Sequence, residues 1–143
     1  MPYEFLEDVA IADLAFTAWG QTLEETFVAA ADAVMHAMLE DLETLCLQEE
    51  RTLHLEDDAL DLLLFNTLQE LIYYKDAEQL LLRIVQVHIT ETDGHYALHA
   101  AARGERLDPM RHHLGVDVKA VTLHRFSLEA TDQGWKAFVI LDV

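Results

Sequence analysis

Two aspartates stand where a carboxylate is costly. Asp13 interrupts the apolar run AIADLAFTAW, between Ala12 and Leu14, and Asp142 nearly closes a second run, FVILDV. Burying an ionised carboxylate is unfavourable unless a partner satisfies it. Two readings follow. Strand alternation can turn both side chains outward into water. Alternatively, the two meet and hold a divalent cation, Ca2+ or Mg2+, since these hard ions take oxygen ligands from carboxylates and carbonyls. The terminal carboxylate of Val143, next to Asp142, could be a further ligand. Spacing alone does not force the pair together, because Asp13 and Asp142 lie at opposite ends of the chain. Chain termini are often close in space, which favours the meeting only weakly.

Histidines are the next candidates. His112 and His113 sit beside Pro109 in a loop. Such a pair could bind a transition metal or act as a general base, or could simply be solvated. His124 lies in VKAVTLHRF, where alternation groups it with Thr122 and Ala120. It is either a ligand or a satisfied strand residue. Glu70, in LQELIYY, adjoins an apolar helical stripe. It is either solvated or held by a Lys or Arg from a sheet. Asp57 and Asp58 read most simply as helix caps. Cys46 stands alone, without the context of a nucleophile, so it reads as an ordinary thiol. No GxxxxGK[ST], GxGxxG or HExxH pattern occurs.

The elements that must position these residues follow from periodicity. Tyr3–Glu7 can form a short strand, and residues 11–19 partly alternate, with Gly20 ending the run. Thr22-Leu-Glu-Glu25 is a capping box. Leu23, Phe27, Ala30, Ala31, Val34 and Met38 then carry helical spacing to about Leu39. Residues 45–55 alternate as a strand. Glu56-Asp57-Asp58 precedes a second helix with a stripe from Leu60 through Leu63, Leu64, Leu68, Leu71 and Ile72 to about Tyr74. Residues 80–90 and 96–102 flank Asp93-Gly94, a hairpin signal. Residues 116–128 and 135–143 read as two closing strands joined at Asp132-Gln133-Gly134. The pattern predicts an α+β fold, a mainly antiparallel sheet with two principal helices, in one domain spanning residues 1–143.

Composition bounds what such a domain can do. The 143 residues are 52% apolar, ample for a core. There are 27 acids against 9 Lys and Arg, a formal net charge of −18. An acidic surface repels phosphates, so strong direct nucleic-acid binding is not expected; a cation or a basic protein partner suits it better. No run approaches the ~20 apolar residues of a membrane span. MPYEFLED lacks the features of a secretion signal. A lone cysteine permits no internal disulfide and suits a reducing, cytoplasmic setting.

Several blocks, in order, resemble the archease family. YEFLED, AIADLAFTAWG and QTLEETFVAAADAV are similar to the family's strand, His-Thr-Ala-Asp, glycine and helix opening. DDALDLLLFNTLQELIYY resembles its leucine-rich helix, GERLDPMRHHLGVDVKAVTLH its most distinctive block, and WKAFVILDV its closing strand. The resemblance covers nearly the whole chain. It implies a non-catalytic accessory protein of the GTP-dependent RNA-splicing ligase of the RtcB type, promoting ligase guanylylation and multiple turnover in tRNA splicing and RNA repair. It implies a divalent metal site at Asp13, Asp142 and Val143. It places His112, rather than His113, on the block histidine, with Lys119, Thr122 and His124 on the VKAVT-x-His positions and Glu70 on the helix glutamate. These five are candidates for a partner interface or for supporting the site. One departure is clear: Ala10 and Ile11 stand where the family has His and Thr. Two other readings remain: a chaperone-like modulator of a tRNA-modifying enzyme such as a tRNA methyltransferase, and a stand-alone metal-dependent hydrolase.

Overall fold

A computed structural model describes residues 2–6 and 13–143, so the substituted pair Ala10 and Ile11 lies outside the described residues. The order is β1 (Tyr3–Leu6), β2 (Asp13–Gly20), α1 (Leu23–Met38), a 3-10 turn (Leu42–Thr44), β3 (Glu49–Asp57), α2 (Leu60–Glu78), β4 (Leu80–Thr92), β5 (His95–Arg106), β6 (Ala120–Thr131) and β7 (Gly134–Asp142). The α+β class with two principal helices is therefore as the sequence predicts. Every strand pairing is antiparallel. There are two sheets, however, a four-stranded one ordered β1-β2-β7-β6 and a three-stranded one ordered β3-β5-β4. The last four strands split between them, because the segment from Leu107 to Lys119 carries the chain from one sheet to the other.

The helices lie between the sheets and close one continuous core. α1 starts as its capping box predicts: Thr22 Oγ1 accepts from the Glu25 amide at 3.1 Å, and the Glu25 carboxylate accepts from the Gln21 amide at 2.9 Å. Phe27, Ala30, Ala31, Val34 and Met38 are all buried. Small alanines on the flanking faces let α1 press on β2 and β4 at once. Asp32 anchors it further, accepting two bonds from the Arg83 guanidinium of β4 at 3.1 and 3.0 Å.

α2 runs one turn past Tyr74 and ends at Gln79, whose φ of 54° is left-handed without a glycine to announce it. Asp57 and Asp58 are not its caps. Ala59 holds the cap position, with no side-chain cap bond. Asp57 accepts from the Ala59 amide at 2.9 Å, and Asp58 turns to His95. β3 starts at Glu49 rather than Leu45, since Asp41 accepts from the Glu43 amide at 3.0 Å and nucleates the 3-10 turn just upstream. Asp93 and Gly94 adopt φ of 52° and 78°, as a tight two-residue hairpin turn requires.

β6 is an edge strand, and α2 covers its free edge. The Gln69 side chain accepts from the Val121 amide at 2.9 Å, and Lys75 donates to the Val118 carbonyl at 2.9 Å. Between Thr122 and Ser127 the register with β7 breaks, leaving a wide bulge. Arg125 takes φ 57° there, with its guanidinium 4.8 Å from the Phe138 ring centroid. Among the described residues no helix is long and apolar enough to cross a membrane.

Candidate carboxylate site

The β2–β7 pairing puts Asp13 directly opposite Asp142. Val139 and Leu141 belong to the core cluster, as do Phe16 and Ala18 of β2, so alternation places Asp13 and Asp142 on the other face. The aspartates turn away from the core, and they stand side by side. Asp142 is exposed and Asp13 half-buried. Among the described residues neither carboxylate has an ion-pair partner. Like charges directly opposite each other across an antiparallel pair are destabilising. This all-oxygen, uncompensated donor set fits a hard cation.

The surroundings of the pair come from the sheet's end. Ala120 is the other register partner of Asp142, and the Lys119 amide donates to the Asp142 carbonyl at 2.8 Å. Lys119 is exposed. Val143 packs against the core, which fixes the strand end. Thr122, opposite Ile140, shares the face of Asp142. Its Oγ1 is buried and finds no partner among the described residues. This orphaned hydroxyl lies diagonal to Asp142 on a face that also carries Glu4, Thr17, Lys136 and Glu129. No three His, Cys, Asp or Glu side chains among the described residues converge as a metal cage.

The remaining candidates lie elsewhere. His124 is exposed within the bulge, so it does not continue the alternation of Ala120 and Thr122. Glu70 is half-buried on α2, next to Gln69, and no Lys or Arg among the described residues holds it in an ion pair. His113 is exposed, but His112 is buried at 3% exposure rather than half of a solvated pair. Both its nitrogens are engaged. Nδ1 accepts from the Asp108 amide at 2.9 Å, so Nε2 carries the proton and donates to Glu105 at 2.7 Å. His112 therefore has no free lone pair for a metal or a substrate proton.

Glu105 is the residue that sequence reasoning missed. One of its oxygens accepts from His112 and, at 3.0 Å, from the Cys46 amide, and also meets the Arg111 guanidinium. The Arg111 bond, with the Cys46 and His112 bonds, outweighs desolvation and lowers its pKa to about 2. The knot ties the crossing segment to β5 and to the segment before β3. Gly104 before it is required by space: a Cβ there would lie 1.7 Å from the Leu81 carbonyl oxygen of β4. The Gly-Glu pair was the available signal, but nothing local tells which cations close on the glutamate.

A surface concavity of about 1560 Å3 is bounded by Trp19, Trp135 and Val85 and does not include Asp13 or Asp142. It lies toward the opposite end of β2 and β7, where Gly20 pairs with Trp135, roughly 23 Å along the strands from Asp13. Size alone does not make it the site; the uncompensated charge is at the other end.

Comparison with known proteins agrees with this fold. The archease protein family model matches residues 3–143. An archease from Methanosarcina mazei is 37% identical over 142 residues, covering 99% of this chain and 95% of that protein. An archease from Archaeoglobus fulgidus is 34% identical over 143 residues, covering 100% of both. The solution structure of protein 1598 from Methanobacterium thermoautotrophicum superposes with a TM-score of 0.85 at 34% identity, covering 99% of each chain. A crystal structure of an archease from Thermotoga maritima, described as a possible chaperone, has a TM-score of 0.65 at 19% identity over 94% of this chain and 93% of that one, and shares the fold. The chain belongs to the archease family.

Proposed function

We propose that this protein is an accessory activator of a GTP-dependent RNA ligase of the RtcB type, with a divalent cation held by Asp13, Asp142 and Val143. The observation that carries the reading is the register of Asp13 against Asp142 at an edge where the described residues supply no compensating ion pair, in a chain of the archease family. When bound, the ion would neutralise both carboxylates and present positive charge on an acidic lobe. Asp13 and Asp142 bind. The Lys119 amide fixes the Asp142 backbone, and the packed Val143 side chain holds the last strand in place. The surface of net charge −18 suits docking on a basic protein. Preferential binding to the ligase conformation competent for guanylylation shifts its population, and a differential affinity of ~1–3 kcal/mol moves that conformational equilibrium by about 5–150-fold. The protein itself carries no catalytic residue in this reading, and the reducing cytoplasm that suits Cys46 is where it would act.

The test is RNA ligation by the purified ligase with GTP and a divalent ion, under single and multiple turnover, with and without this protein. Multiple turnover should rise on its addition, and Asp142→Ala should abolish the gain while leaving the fold intact by circular dichroism. Full stimulation by Asp142→Ala sinks the role of the carboxylate site. No stimulation by the wild type sinks the ligase reading, and a pull-down then asks whether a tRNA methyltransferase is the client.

A further inference from the structure

The concavity at the far end of β2 and β7 is not used by the carboxylate site, and both tryptophans of the chain line it. Its floor is the solvent-facing stripe of α1, where Glu24, Val28 and Asp32 recur at helical spacing and stay partly exposed. One wall is β4, through Val85, Gln86 and Val87. Successive strand residues point to opposite faces, so three in a row border the groove by the strand's edge. β4 is an outer strand of its sheet, and such an edge offers N–H and C=O groups to an added chain. The register shift between Ile84 and Gln86 leaves Val85 unpaired and 47% exposed. The other wall is the end of the four-stranded sheet, from Pro2 and Trp19 round the β6–β7 turn to Trp135. Trp19 lies opposite Lys136 and turns outward, whereas Trp135 follows Ala137 toward the core side, so the groove wraps that end.

Charge and size select what can lie there. Five acids line the groove, with Lys136 alone among Lys and Arg. Asp32 is bound to Arg83, and Glu25 to the Gln21 amide. Glu24 reaches the Ile89 amide only at 3.4 Å. Glu4 and Asp132 are exposed, with no ion-pair partner among the described residues. Asp13 and Asp142 share one rung, but these acids are spread around a rim, so they draw several cations along a chain rather than hold one ion. A volume of about 1560 Å3 exceeds the roughly 300–1,000 Å3 of small-ligand pockets and suits a length of polypeptide. The net charge of −18 disfavours a second copy and a phosphate backbone alike. Exposed tryptophan and valine beside carboxylates suit lysine and arginine, whose apolar stems lie on the surface and whose heads reach the acids or an indole face.

We infer that this groove docks an extended, lysine- or arginine-bearing segment of a partner protein, laid along the edge of β4. Main-chain bonds to that edge give affinity without regard to sequence. Side chains of an extended segment alternate, so one set meets Val85 and Trp19 while the other meets Glu4, Glu24 and Asp132. The bulge at Val85 limits how far main-chain pairing runs, which leaves specificity to these side-chain contacts. Docking here does not depend on the ligase reading, since the Asp13–Asp142 rung lies roughly 23 Å away along the strands.

The test is titration of the full-length protein with an alternating lysine–valine octapeptide, capped at both ends, in about 0.1 M salt, where the Debye length is about 10 Å. Tryptophan emission and calorimetry follow it, and because both tryptophans line the groove the emission reports on it directly. One equivalent should bind with a shift in emission, and affinity should fall as salt rises. Asp132→Lys and Val85→Arg should each weaken binding by at least about tenfold. Glu50→Lys makes the same change of charge as Asp132→Lys on exposed β3, at the far edge of the other sheet, and should weaken it by less than about twofold. Equal losses in Asp132→Lys and Glu50→Lys would leave only net charge and overturn the groove. Absence of binding, or equal binding of a glutamate–valine octapeptide, would overturn it as well. Concentration-dependent sedimentation that Val85→Arg abolishes would give the groove to a second copy, and an emission shift with an oligouridylate would give it to RNA; either result overturns the basic segment. No ligase enters the titration, so failure here is distinguishable from failure of the ligase reading.

Discussion

Glu105 and the Asp13–Asp142 pair are both acidic positions at strand ends, and they are treated in opposite ways. Glu105 receives Arg111, the His112 ring and the Cys46 amide on one oxygen. Asp13 and Asp142 receive no ion-pair partner among the described residues and face each other across the β2–β7 ladder. A carboxylate supplied with its own donors is structural: its charge is spent on holding the crossing segment. Two carboxylates placed together without such donors oppose folding, and they persist most simply where something outside the chain rewards them. The difference separates two parts of the family-like sequence. The Gly-Glu…His block serves the fold, and the two aspartates are the pair to which the proposed cation is assigned.

The comparison breaks most readily at the knot. Gly104→Ala puts a Cβ against the Leu81 carbonyl, a backbone atom of a paired strand that cannot swing aside. A stability loss of more than about 3 kcal/mol is expected by denaturant titration. Near-wild-type stability would mean that β4 and β5 shift apart freely and that the knot is not rigid.

Glu105→Gln has the next largest effect, a loss of about 1–3 kcal/mol, because the buried His112 donor and the Cys46 amide lose a charged acceptor. Arg111 is half-exposed, so its share is screened and lies at the low end. The pH dependence has a definite sign. The folded pKa, about 2, lies below the ordinary carboxylate value of 4.5. Glu105 therefore stabilises the fold fully above about pH 4.5 and loses that contribution as pH falls toward 2. Acid titration of stability should be shallower in Glu105→Gln over that window. Equal slopes would move the acid sensitivity to other carboxylates.

Much of this was legible in the sequence, and what was not has a physical reason. The capping box at Thr22 and Glu25 and the Asp93-Gly94 turn are local, so their residues state their own geometry. Alternation showed that Asp13 and Asp142 were anomalous in their strands, but register is a long-range property, and only strand pairing makes them neighbours. His124 was misplaced because a bulge resets the period, and within that bulge Phe126 packs on Phe65 of α2, a long-range contact with ring centroids 5.7 Å apart. Glu105 escaped for the same reason. It looks ordinary in its own strand, and only the crossing segment and the chain before β3, folded against it, give it its donors.

The smallest expected effect tests the unmatched pair itself. Asp142→Asn removes one of two like charges that stand directly opposite each other, while keeping the shape of the side chain. With divalent ions chelated, the variant should be more stable than the wild type by about 0.2–1 kcal/mol, the size of a cross-strand pair interaction. The gain should shrink as salt screens the repulsion, since Asp142 is exposed. Adding Ca2+ should reverse the order: an ion that binds only the folded wild type stabilises it by about 2.7 kcal/mol at a hundred times its dissociation constant. That crossover is the discriminating result. If Asp142→Asn is destabilising even in chelator, then Asp142 has a structural donor of its own, and it belongs with Glu105 on the structural side of the comparison.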